Sequence, residues 1–206
     1  MFVQFLAAAG VLAVLTIVPG PDMAVVTKRA VKSGWRDGLR TVGGITAGLL
    51  IWGVLAVVGL AAVLAASATA YTVVKLAGAA YLGFLGVQAL IHSRRDGPAD
   101  PASAAPSPAG NAWRTGLVSN VFNPKIAVFY TGLLPTLAPT GLSPHGGMAL
   151  LVLLHAGLTV GWLGSYVLLL AKAGAFFARP AVRRAMDRVT GLVLIGFGVK
   201  VATTQP

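Results

Sequence analysis

Asp22 has the most to explain in this 206-residue chain. Of five acidic residues, Asp37, Asp96, Asp100 and Asp187 stand in or beside clusters of Lys and Arg, whereas Asp22 lies within an otherwise apolar run. A carboxylate inside a membrane costs about 2.5 to 3.5 kcal/mol on insertion scales, so it is paired, protonated or used. Such a group receives a substrate ammonium or carries a proton; it can also cap the helix that resumes at Met23.

Asp22 ends the motif VPGPD, residues 18–22. Pro19 and Pro21 remove backbone donors and Gly20 adds freedom, so a helix must kink or unwind here and leave carbonyls in need of partners. A second interruption, Asn123-Pro124-Lys125, stands near the start of the second half of the chain, as VPGPD stands near the start of the first. Interrupted helices at corresponding positions point to a transporter's binding site. The plainer alternatives are a first span that simply ends at VPGPD, and an Asn123 cap with Pro124 in the first turn and Lys125 snorkelling to the headgroups.

The elements that position these residues follow from composition. The chain is 56% hydrophobic and 10% charged, against about 25% charged in soluble domains, which makes it an integral membrane protein. Six apolar segments emerge, at residues 2–27 with the break at 19–22, then 42–64, 71–91, 117–137, 146–171 and 189–204. The last is marginal in length, so five spans remain an alternative. No Lys or Arg precedes the first segment, which reads as a retained helix and not a cleaved signal.

Basic residues alternate between the connections. Lys28, Arg29, Lys32, Arg36 and Arg40 crowd the first, Arg94, Arg95 and Arg114 the third, and Lys172, Arg179, Arg183, Arg184 and Arg188 the fifth, with none at 65–70 or 138–147. Cytoplasmic loops hold such an excess, so the odd connections face the cytoplasm and both ends of the chain face outward. The +11 net charge is then topology and not nucleic-acid binding.

Residues 96–112 open with a Pro, Ala and Ser-rich stretch with little to bury, and read as a cytoplasmic linker between two three-span halves, residues 1–95 and 113–206. The halves share a glycine pattern. Gly34, Gly44, Gly48, Gly78 and Gly83 each precede Gly147, Gly157, Gly161, Gly191 and Gly196 by 113 residues, as Lys75 precedes Arg188 and Phe84 precedes Phe197. Three spans per half invert the second half relative to the first.

Other polar residues say less. Lys75 reads as a snorkelling cation, and His155, mid-span without a nearby carboxylate, as structural; His92 and His145 fall in loops. Three scattered histidines and no cysteine make a poor metal site and exclude thiol chemistry. No ATP-binding or hydrolase signature is present, so no enzyme activity or cofactor is expected. Gly44/Gly48 and Gly157/Gly161 read as helix-contact surfaces, and Trp35 and Trp113 as interfacial anchors. Trp52 and Trp162 fall within spans.

At VPGPD, at KLAGAAYLGFLGVQAL (residues 75–90) and at WRTGLVSNVFNPKIAVFYTGLLP (residues 113–135), the chain resembles the LysE/RhtB family of amino-acid exporters, in the same order and over nearly its whole length. The resemblance implies a proton-motive-force-driven efflux protein of the bacterial inner membrane, dimeric, moving amino acids or close derivatives outward. Carried over by position, the motif residues are Pro19, Gly20, Pro21 and Asp22, then Asn123, Pro124 and Lys125. One departure is Thr136 and Leu137, where many relatives place an aromatic after the proline ending the fourth span.

The expectation is an all-α protein of six transmembrane helices in two inverted three-helix repeats, exchanging an amino acid for protons across the bilayer, with no metal. Asp22 would engage the substrate ammonium or the coupling proton, Asn123 and exposed backbone groups the carboxylate, and Lys125 would supply a countercharge. Efflux of a cation or another small metabolite, or a non-transporting membrane scaffold, are the alternatives.

Overall fold

The computed structural model describes residues 2–66, 68–94, 110–139, 141–177 and 180–203, and all regular structure among them is helical. The chain opens with α1 (Phe2–Ile17) and α2 (Pro21–Ser33), bent from each other by 49°. Pro19 and Pro21 impose that break. Gly20 occupies the cap position of α2 with Pro21 in the first turn, so Asp22 lies inside the helix and is not its cap. Gly34 ends α2 with a φ of 87°, which glycine adopts without strain, and its N–H bonds Ala30 O at 3.1 Å.

Next come α3 (Trp35–Ala66) and α4 (Ala68–Arg94). Asn111 caps α5 (Ala112–Val121), its side chain accepting from Trp113 N and Arg114 N. The chain breaks at Phe122–Asn123 and resumes as α6 (Pro124–Val128), a π-helical turn (Phe129–Leu133) and a 3-10 turn (Pro135–Leu137). The expected fourth span is therefore four short pieces. α7 (Pro144–Phe177) and α8 (Pro180–Thr203) complete the chain. The marginal last segment extends back into the basic fifth connection, giving a helix of 24 residues.

Among the described residues, the stretches Trp35–Gly59 of α3 and Pro144–Ala171 of α7 are long and apolar enough to cross a membrane. The bent α1–α2 pair makes a third if counted as one span. Val54, Leu55 and Val58 on α3 are each more than half exposed, an apolar face suited to lipid and costly in water. Residues 96–109 of the expected linker lie outside the described residues.

Small residues bring helices close. Gly44 backs onto the carbonyl of Trp113 and Gly116 onto that of Thr41, so α3 and α5 meet backbone to backbone with no room for a Cβ. α4 and α8 cross where a Cβ on Gly86 would stand 2.7 Å from Gly191 O, and one on Gly191 2.7 Å from Gly86 O. A Cβ on Gly157 or Gly161, by contrast, would meet nothing within 4 Å. Both glycines face an apolar groove of about 590 Å³ between α1 and α7, edged by Thr16 and Trp162.

Two apolar clusters flank the break. One packs Leu12, Leu15 and Val18 of the first span against Phe129, Tyr130 and Leu133; the other packs Met23 and Val26 of α2 against Val42, Leu163 and Val167. The bend at 18–21 is thus held between two cores, which fixes where its polar groups point.

Candidate solute site at the facing helix breaks

In an unbroken helix the carbonyl of Leu15 would accept from the amide of residue 19, but Pro19 has no N–H. The ammonium of Lys125 takes that place, 3.2 Å from Leu15 O and 3.1 Å from Val18 O, with the side chain buried. Gly20 makes the approach possible. A Cβ there would come within 3.1 Å of Nζ and 3.4 Å of Cε.

Asp22 points from the first turn of α2 toward α5. Its Oδ1 accepts from Ser119 Oγ at 2.8 Å, and its Oδ2 from the side-chain amides of Asn120 at 2.8 Å and Asn123 at 2.7 Å. Three neutral donors hold this part-buried carboxylate, their hydrogen bonds replacing water around it. Asn123 is shared, since its other side-chain atom, Oδ1, accepts from Lys125 N at 3.0 Å and caps α6. Asn120 is fully buried and its Oδ1 has no hydrogen-bond partner among the described residues. Trp52 Nε1 donates to Val121 O at 3.1 Å, another carbonyl at a helix break. Thr190 of α8 completes the setting, with its hydroxyl 3.4 Å from Pro19 O.

The structure therefore brings Pro19, Gly20, Pro21, Asp22, Asn123, Pro124 and Lys125 together at one place, although the two motifs are about a hundred residues apart. Lys125 turns inward to the first break and does not snorkel to a surface. Sequence reasoning missed Ser119 and Asn120. Their spacing from Asn123, four and three residues, would place all three on one helical face and was the available signal.

His155 is less solitary than expected. Its Nδ1 lies 3.2 Å from Tyr130 Oη, the two rings stack at 5.8 Å, and Phe129 packs edge-on against both. Arg29, counted with the first connection, is buried, with Nη2 2.6 Å from Thr115 Oγ. Trp35 and Trp113 are partly exposed, and the Arg36 guanidinium covers the Trp35 ring at 5.3 Å. The side chains of Lys75 and His92 lie outside the described residues.

Long apolar helices, and helix breaks that face each other with a carboxylate and an ammonium between them, mark a membrane protein with polar groups gathered in its interior. The chain belongs to the LysE type translocators, whose family model matches residues 13–205. It is 29% identical over 204 residues to an uncharacterised membrane protein, YrhP, of Bacillus subtilis (strain 168), covering 96% of this chain and 97% of that one. It is 27% identical over 214 residues to the threonine efflux protein of Escherichia coli (strain K12), covering 97% of each, and 25% identical over 196 residues to the leucine efflux protein of Salmonella choleraesuis (strain SC-B67), covering 93% and 91%. No solved structure matches the chain.

Proposed function

We propose that the protein exports small neutral amino acids across the bacterial inner membrane in exchange for protons. The observation that carries this reading is the meeting of the two breaks, which puts the Asp22 carboxylate, the Asn123 amide and the carbonyls of Leu15 and Val18 around one spot. An amino acid presents a primary ammonium and a carboxylate about two bonds apart. Asp22, the break carbonyls and the unpaired Asn120 Oδ1 suit the first, and the Asn123 amide suits the second. The threonine and leucine efflux proteins among the relatives support a neutral amino acid as cargo.

In this reading the chain crosses the membrane six times, with α1–α2, α3 and α4 as one repeat and α5–α6, α7 and α8 as its inverted counterpart. Element pairing supports it, because α3 packs on α5 as α7 packs on α1, while α3 with α7 and α4 with α8 pair across the two halves. The odd-numbered connections face the cytoplasm, and the functional unit is a homodimer. Asp22 carries the coupling proton when its cage opens.

The test is efflux from proteoliposomes loaded with labelled amino acids under an imposed pH gradient. Export of L-threonine or L-leucine above protein-free vesicles is expected. Equal leakage with and without protein across a full amino-acid panel contradicts the reading.

A further inference from the structure

A buried lysine ordinarily needs an anion. Lys125 makes its hydrogen bonds to two backbone carbonyls, and Asp22 acts on it only through space, its oxygens being taken by Ser119, Asn120 and Asn123. Both carbonyls belong to the break. Leu15 O is the acceptor that Pro19 cannot serve, and Val18 O lies just past the last turn of α1. Left bare in an apolar interior, each would cost several kcal/mol, so the break requires a donor whenever no solute is present. The donor it has is a primary ammonium, the same group an amino acid offers, seated under a glycine that leaves it just enough room.

We infer that Lys125 is a tethered stand-in for the solute's ammonium: it holds the Leu15 and Val18 carbonyls in the empty site, and the incoming ammonium displaces it. The inference rests on the reading of the break as an amino-acid site. It differs from a countercharge role for Lys125, which would aim Nζ at the solute's carboxylate and leave the carbonyls to another donor. Competition for one pair of acceptors also keeps the break satisfied in both the empty and the loaded state, so neither state carries the full penalty of bare carbonyls.

The experiment is calorimetric binding of n-butylammonium, a primary ammonium without a carboxylate, to the full-length protein in detergent. Lys125→Met should bind it about tenfold more tightly than the wild type, since one charge-assisted competitor is gone. Tetramethylammonium, which cannot donate a hydrogen bond, should gain nothing. An unchanged butylammonium affinity, or an equal gain for both cations, overturns the inference, the latter because it reports only the loss of a positive charge. Pro19→Ala provides a second test that keeps the lysine: with an amide supplied to Leu15 O, L-threonine should bind about fivefold more weakly. Undiminished binding in that variant contradicts the inference. If the wild type binds neither L-threonine nor L-leucine while butylammonium behaves as described, the proposed cargo falls and the ammonium site stands.

Discussion

Asn123 holds Asp22 with one end of its side chain and caps its own helix with the other, through contacts of 2.7 Å and 3.0 Å. One amide therefore ties the first break to the second. Any movement that opens the Asp22 cage also loosens the start of α6, which is the kind of coupling a transport cycle requires between binding and shape change.

Replacing Asn123 should therefore cost both stability and transport. Asn123→Ala removes a cap worth about 1 kcal/mol and a hydrogen bond to a charged group worth about 1.5 to 3. A loss of about 2 to 4 kcal/mol is expected, read as a lowered thermal midpoint in detergent. Asn123→Asp should be worse, because it sets a second carboxylate against the first. Unaltered midpoints for both variants would show that the link carries no load.

The two glycine pairs should behave differently. Gly44 lies against the Trp113 carbonyl, so Gly44→Ala must push α5 away from α3 and lower the yield of monodisperse protein. Gly157 has open space where its Cβ would be, and Gly157→Ala should purify like the wild type. Equal behaviour of the two variants on size-exclusion chromatography would contradict the packing described for α3 and α5.

Orientation is tested by fusion of a reporter that works only in the cytoplasm. Activity is expected at Lys32 and Ala102, where basic connections lie, and none at Thr69. Activity at Thr69 would invert the topology.

Much of the site was legible in the sequence because proline acts locally. Pro19, Pro21 and Pro124 each remove a backbone donor wherever the chain folds, so both breaks and the membrane class could be read from residue types alone. What fills the breaks is a tertiary matter. Nothing local tells Lys125 to turn toward Leu15 and Val18, more than a hundred residues away, and a snorkelling lysine has the same sequence signature. His155 looked solitary because its partner Tyr130 belongs to a π-helical turn that periodicity does not reveal. Gly157 and Gly161 match Gly44 and Gly48 in spacing but not in environment, since α1 leaves a groove beside them where α5 closes directly on Gly44.

Transport by Asp22→Asn in proteoliposomes separates a proton-coupled export site, in which Asp22 carries the proton, from a carboxylate that only braces the two breaks. One elementary charge moving through 100 mV gains about 2.3 kcal/mol, enough to sustain a solute gradient of roughly fiftyfold at one proton per solute. Asparagine cannot titrate, yet its carbonyl oxygen can accept from the Asn120 and Asn123 amides while its nitrogen donates to the Ser119 hydroxyl, so the variant keeps the cage and loses only the proton. The variant should lose accumulation driven by an imposed pH gradient while retaining some downhill exchange of L-threonine or L-leucine. Asp22→Asn that still concentrates the amino acid against its gradient when protons are supplied would contradict the account and assign the proton to another route.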